Sequence, residues 1–145
     1  MKIVLQRVKQ ASVHSEGRLL GEIGCGYLIL IGIGEGDTPQ QAEKLADKIK
    51  KLRVFPDEEG KTNRSIDDVN GGVLVVSQFT LYADCRKGNR PSFIGAGAPD
   101  EARKLYDYFL QLCKSRFQKT AYGSFGADMQ VSLINDGPFT LILEA

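Results

Sequence analysis

Histidine is almost missing from this chain of 145 residues: His14 is the only one. Any mechanism that needs imidazole as general base must therefore use that residue. His14 sits within alternating strand-like sequence, where an ordinary strand histidine accounts for it, so a Ser-His-Asp or Cys-His mechanism has little support. Cysteine is also sparse. Cys25, Cys85 and Cys113 are odd in number, widely spaced and form no CxxC pair, which argues against a zinc ribbon or a thioredoxin-type centre. One histidine and scattered cysteines give no ligand cluster, so no metal and no other cofactor is expected. Plain reduced thiols fit a reducing compartment.

Long apolar runs are absent as well. Tyr27 to Ile31 is the longest aliphatic stretch, far short of the roughly 20 residues that span a bilayer. The start, Met1 to Arg7, meets charge early and lacks a small-residue cleavage pattern, so no signal peptide is expected and a cytoplasmic location is. Net charge is +1, which removes the broad basic field of many nucleic-acid binders. Any RNA contact must be local. No G-x-x-x-x-G-K-[ST] loop occurs, and Gly32, Gly34 and Gly36 have GxGxG rather than GxGxxG spacing, as a turn between strand and helix has.

The residues present, 42% hydrophobic and 26% charged, suit one globular domain over 1–145. Strands are expected at Ile3 to Val8, at Ala11 to Ser15 and Arg18 to Ile23 around a Glu16-Gly17 turn, and at Gly26 to Ile33. Thr38, Pro39 and Gln41 make a helix start with a capping box, and Ala42, Leu45, Ala46, Ile49 and Leu52 form its apolar stripe. Arg53 to Phe55 reads as a short strand, Pro56 to Gly60 as a turn and Gly72 to Val76 as a strand. Residues 83–98 read as a long loop, a type often functional. A second helix is expected from Pro99, with Ala102, Leu105, Tyr106, Phe109, Leu112 and Cys113 inward. Met129, Val131, Leu133 and then Phe139, Leu141, Leu143 alternate, which reads as two antiparallel strands joined around Asn135 to Pro138. The expected class is α+β, with a mixed or antiparallel sheet and two main helices.

Two segments invite a chemical reading. Ser77-Gln78-Phe79-Thr80 ends an aliphatic strand, where polar side chains and backbone N–H groups leaving the ladder can surround an oxyanion. A strand terminus with local Ser/Thr hydrogen bonds explains the same residues. Asn135-Asp136-Gly137-Pro138 reads locally as a hairpin turn.

Taken in order, Ser77-Gln78-Phe79-Thr80-Leu81, Arg90-Pro91-Ser92-Phe93 and Met129 to Leu133 leading into Asn135-Asp136-Gly137-Pro138 resemble the D-aminoacyl-tRNA deacylase family. Leu5-Gln6-Arg7-Val8 with Ala11-Ser12-Val13 resembles that family's start. The resemblance spans residue 1 to about 144. It implies hydrolysis of the ester of D-aminoacyl-tRNA by a cytoplasmic homodimer with active sites at the interface. It implies a cis Gly137-Pro138 bond, inserted into the partner's pocket to bind the substrate's α-amino group and reject L residues. Glycyl-tRNA would pass such a gate. The resemblance gives Phe79 (backbone N–H) and Thr80 to the ester carbonyl, Gln78 and Ser77 to the adenosine pocket, and the ribose 2′-hydroxyl to assistance of attack. Thr80 as a covalent nucleophile is the rival role, with no base in view to activate it. Met129 would line the pocket, or be plain core; Arg7 would brace the Gly-Pro segment, or be a solvated strand charge. Lys87, Arg86 and Arg90 are candidate phosphate contacts on the loop. Phe139 departs from the valine commoner in the family. A non-catalytic RNA-binding dimer, and a related deacylase acting on L-alanyl-tRNA, are the alternatives.

Overall fold

The computed structural model describes residues 1–145. Its order is β1 (Lys2–Ser15), β2 (Arg18–Ile23), β3 (Gly26–Gly32), α1 (Pro39–Lys51), β4 (Arg53–Pro56), β5 (Thr62–Ser65), β6 (Gly72–Ser77), a 3-10 turn (Phe79–Tyr82), α2 (Pro99–Arg116), β7 (Thr120–Tyr122) and β8 (Gln130–Glu144). The main sheet runs β2-β1-β3-β6-β7, with β8 on the free edge of β1. Its β3–β6 and β6–β7 ladders are parallel and the rest antiparallel, so the sheet is mixed. The class is α+β with two main helices, as expected.

Both helices lie where apolar spacing put them. The α1 start is held by Gln41, whose Oε1 accepts from the Thr38 N–H at 2.6 Å, which satisfies one of the donors a helix start leaves free. Ala42, Leu45, Ala46 and Ile49 are buried, and each large aliphatic among them contributes about 1.5–3 kcal/mol by leaving water. With the stripe of α2 they cover one face of the sheet in a 23-residue core. A second core of seven residues, Val8, Ala11, Val13, Ile23, Leu28, Leu74 and Val76, gathers side chains from β1, β2, β3 and β6. The end strands nearly meet: a Cβ at Gly21 of β2 would lie 3.1 Å from the Tyr122 N of β7. The sheet thus curls into a near-barrel around that core.

Three expectations change. The segments 3–8 and 11–15 are one 14-residue strand, since β1 pairs β8 along almost its whole length. The segment around Asn135 to Pro138 does not reverse the chain. Between the pairs Gln6–Thr140 and Gln10–Ile134, β1 advances four positions while β8 covers six. Two extra residues therefore form a bulge in a single strand. Local turn preference is satisfied inside the bulge, while pairing with β1 keeps both halves of β8 in line. Thr120–Tyr122 is a separate strand parallel to β6, and β5, paired with β4, was not expected at all. No helix is long and apolar enough to cross a membrane.

Tyr27 is fully buried, stacks on Phe55 with centroids 5.2 Å apart, and its hydroxyl has no hydrogen-bond partner. An unpaired buried hydroxyl costs about 1–3 kcal/mol. Tyr27→Phe is therefore expected to raise the thermal midpoint in a calorimetric scan; a fall of several degrees would show that the hydroxyl is satisfied in solution.

Candidate active site

The parallel β3–β6 ladder ends with Ile31 opposite Ser77. Gln78 N–H still donates to the Ile31 carbonyl at 2.7 Å, and the chain then turns into one 3-10 turn. Leu81 N–H returns to the Gln78 carbonyl at 3.2 Å and Ala83 N–H to that of Thr80 at 3.0 Å. The N–H groups of Phe79 and Thr80 open the turn, where no preceding carbonyl is in register, and neither donates to any turn or loop carbonyl. Two adjacent donors are left free beyond a strand end.

The residue carrying the first of them, Phe79, lines a pocket of about 480 Å3. Ser77, Gln78 and Phe79 form one side. Ile31, Ile33, Val76, Ala102 and Val131 give an apolar floor, Gly97 and Pro99 come from the start of α2 and the loop before it, and Phe125 to Met129 close the far side. That far side is fixed: Ser124 N–H donates to Met129 Sδ at 3.3 Å, and Ser15 Oγ to the Asp128 carbonyl at 2.7 Å. Asp128 is the one ionisable lining residue; no His, Cys, Lys or Arg borders the pocket. Thr80 lies outside the lining, exposed, and its Oγ1 accepts from Gln78 Nε2. Nothing basic stands beside it. The chemistry available is therefore positioning plus oxyanion binding by backbone donors.

Gly137 and Pro138 are elsewhere. They sit exposed on the β8 bulge, the bond between them is cis, and neither lines the pocket of its own chain. The bulge is built by side chains. Asn135 Oδ1 accepts from Phe139 N–H at 2.7 Å while its Nδ2 donates to the Phe139 carbonyl at 3.2 Å. Arg7, 11% exposed, donates from Nε to the Asp136 carbonyl at 2.8 Å and from Nη1 to the Val54 carbonyl at 2.5 Å. Its guanidinium also lies 4.8 Å from the Phe139 ring centroid, a favourable cation–π distance. The ring at 139 is thus packed behind the segment, against Arg7.

Of the loop cations, Arg86 is bound to Asp84 through two bonds of 2.9 and 2.7 Å. Those bonds hold the Asp84 carboxyl well below the usual carboxylate range. Lys87 and Arg90 are exposed and make no ion pair. His14 stays in the β1 ladder, between Leu19 of β2 and Gln130 of β8, away from the pocket. Structure thus gathers Ser77, Gln78, Phe79 and Met129, and sets Thr80, Arg7, Gly137 and Pro138 apart. The Phe125 to Asp128 side was not found from sequence, since small and polar residues between two strands carry no periodic signal.

A family model described as D-Tyr-tRNA(Tyr) deacylase matches residues 4–144. Proteins named D-aminoacyl-tRNA deacylase are similar over nearly the full length. That of Thermosipho africanus is 52% identical over all of this chain and 97% of its own, and that of Pelobacter propionicus 54% over 99% of each. Among solved structures, the c-Myc DNA Unwinding Element Binding Protein superposes with a TM-score of 0.94 at 42% identity, over 100% of this chain and 99% of its own. A structure described as a probable eukaryotic D-amino acid tRNA deacylase superposes with a TM-score of 0.85 over 99% and 98%. At 17% identity it speaks for the fold alone.

Proposed function

This chain belongs to the D-Tyr-tRNA(Tyr) deacylase family, hydrolases of D-aminoacyl-tRNA, and from that premise we propose how its own residues carry the reaction. The observation that carries the reading is the pair of N–H groups at Phe79 and Thr80, on a turn whose first residue lines a pocket with Asp128 as its one ionisable group. Water adds to the ester carbonyl carbon, and the carbonyl oxygen takes the negative charge between those two donors. The C–O bond to ribose then breaks and the 3′ oxygen takes up the proton, releasing D-amino acid and tRNA. An aminoacyl ester is already reactive, so orientation and oxyanion binding suffice, with the vicinal 2′-hydroxyl assisting attack. Gln78 and Ser77 shape the adenosine side, and Met129 bounds the pocket opposite them.

The chiral gate is Gly137-Pro138 of a second copy. Both residues are exposed and outside their own chain's pocket, so reaching substrate requires a homodimer with its sites at the interface. Their carbonyl oxygens accept from the substrate α-ammonium. That anchor turns an L side chain into protein and a D side chain toward solvent, so selectivity arises from a clash. Arg7 and Asn135 hold the gate from behind. Glycine has no side chain to clash and passes. Lys87 and Arg90, free of ion pairs, meet acceptor-stem phosphates, and the setting is the cytoplasm, where tRNA is charged.

The test is amino acid release from D-tyrosyl-, L-tyrosyl- and glycyl-tRNA by the purified protein. Fast release from the D ester and glycyl-tRNA, with the L ester at least about 10³-fold slower, is expected; a 10³ ratio corresponds to about 4 kcal/mol. A terminal 2′-deoxyadenosine slows the D reaction markedly. A similar protein is named for binding a DNA element, so tRNA bound without release from any ester would favour a non-catalytic nucleic-acid binder instead. Rapid hydrolysis of the L ester would sink the gate.

A further inference from the structure

The glycine series Gly32, Gly34, Gly36 leaves β3 with no part yet in the chemistry. Its first two members lie under one aromatic ring. A methyl at Gly34 would stand 2.5 Å from Cε1 and Cζ of Tyr82, and one at Gly32 3.3 Å from its Cδ2. Gly95 of the long loop approaches the same ring, at 3.8 Å from Cδ1. Lys2 Nζ lies 4.9 Å from the ring centroid. The hydroxyl of Tyr82 donates to Asp37 Oδ2 at 3.3 Å, and that oxygen also accepts the Gly34 N–H at 2.7 Å. Asp37 is 7% exposed, and its other oxygen accepts from the Met1 ammonium at 2.5 Å. Burial, then the Asp37 carboxylate, pushes the Tyr82 phenol up to about 12, so it remains a donor at neutral pH.

Tyr82 closes the same 3-10 turn that Phe79 and Thr80 open. One turn is a short unit, and beyond the strand it leaves it is seated on β3 by Leu81, whose Cβ lies close over Gly32, and by the Tyr82 ring at its far end. We propose that Tyr82 is a positioning residue for the hydrolytic turn: its ring, seated on the Gly32–Gly34 backbone and tied to Asp37, sets where the Phe79 and Thr80 N–H groups point. Gly34 is required because a Cβ there leaves no room for the ring, and Gly32 lets the turn itself, through the Gln78 carbonyl and Leu81, lie close on β3. This rests on the reading above, in which those two N–H groups bind the oxyanion. Misplacing a catalytic group by about 1 Å costs up to 10²-fold in rate, so the effect falls on kcat, while tRNA contacts elsewhere keep KM.

Four variants in the full-length protein test this: Gly34→Ala, Tyr82→Leu, Tyr82→Phe and Gly34→Ala with Tyr82→Leu. Gly34→Ala and Tyr82→Leu should each lower kcat on D-tyrosyl-tRNA by about 10- to 100-fold, with KM within about twofold. Tyr82→Phe, which keeps the ring, should restore kcat to within about threefold of the parent. The double variant should be no slower than Tyr82→Leu, because the clash partner of the added methyl is gone. A readout independent of turnover is the pair of amide 1H–15N resonances of Phe79 and Thr80. Both should shift in Gly34→Ala and Tyr82→Leu and stay in place in Tyr82→Phe. If the amides do not move, or kcat stays within twofold while only thermal stability falls, Tyr82 is a packing residue and the proposal fails. A parent protein that hydrolyses no D ester sinks the deacylase reading alone, and the amide shifts then decide on Tyr82.

Discussion

Phe79→Pro is expected to lower kcat for D-tyrosyl-tRNA by about 10²–10³-fold, the loss that follows removal of one oxyanion donor. Proline deletes the N–H of residue 79 and little else in the backbone. Residue 79 is the first of the 3-10 turn, the position where a missing N–H breaks no internal bond and a proline φ fits. Gln78 before it has φ −143° and ψ 78°, outside the helical region that a following proline disfavours. The ring of Phe79 is lost as well; it packs on Phe93 with centroids 5.0 Å apart and is 58% exposed. Phe79→Ala is therefore the control, expected to cost at most about tenfold in kcat, since it keeps the N–H. Equal kinetics for the two would show that the ring, not the N–H, carries the effect. Thr80→Ala belongs to the same series: it keeps both donors and should retain substantial activity. Complete loss there, with fold and tRNA binding intact, would restore Thr80 as a nucleophile.

Gly137→Ala is the second large effect. Residue 137 has φ +154°, and a methyl on it would stand 2.7 Å from the Phe139 N and 3.0 Å from the Phe139 Cβ. Phe139 cannot retreat freely, because its N–H is bound to Asn135 Oδ1 and its ring lies against the Arg7 guanidinium. The bulge must change shape, and the two carbonyls proposed to orient the α-ammonium move with it. A fall of about 10²-fold or more in kcat/KM follows from misplacement of that order. The thermal midpoint should fall as well, since Phe139, which must give way, packs against the larger core; kinetics are therefore compared where circular dichroism shows both proteins folded.

The two variants together test whether the gate acts across subunits. Phe79→Pro spoils the pocket and Gly137→Ala the gate, on separate residues of one chain. If the gate enters the partner's pocket, a mixed dimer has one site built only from native parts. Refolding an equimolar mixture gives about half mixed dimers, each with one live site of two, so roughly a quarter of the native activity returns in a closed two-fold assembly. No recovery in a mixture shown by mass to exchange subunits would place gate and pocket on one chain.

Sequence alone went far with the local elements. The stripes of α1 and α2, the Thr38–Gln41 start and the aliphatic strands β3 and β6 were legible because 3.6- and 2-residue periodicity is written into side-chain order. Ser77 to Thr80 was legible as a strand end with free donors. Its turn was not, because a 3-10 turn here depends on the Tyr82 ring finding glycines some fifty residues earlier. Asn135 to Pro138 was misread for the opposite reason. Those residues do favour a turn, and only the ladder along β1 shows that the chain continues in one direction.

The order of short motifs determined the family before any coordinate was known, since sequence order survives without geometry. Tertiary structure decided what each motif can touch. It brought Ser77, Gln78, Phe79 and Met129 to one pocket and added the wall from Phe125 to Asp128. It also held Gly137 and Pro138 outside that pocket on a bulge braced by Arg7 and Asn135. The division is physical: periodicity and local conformational preference act between near neighbours, whereas a pocket is made by strand pairing across more than a hundred residues.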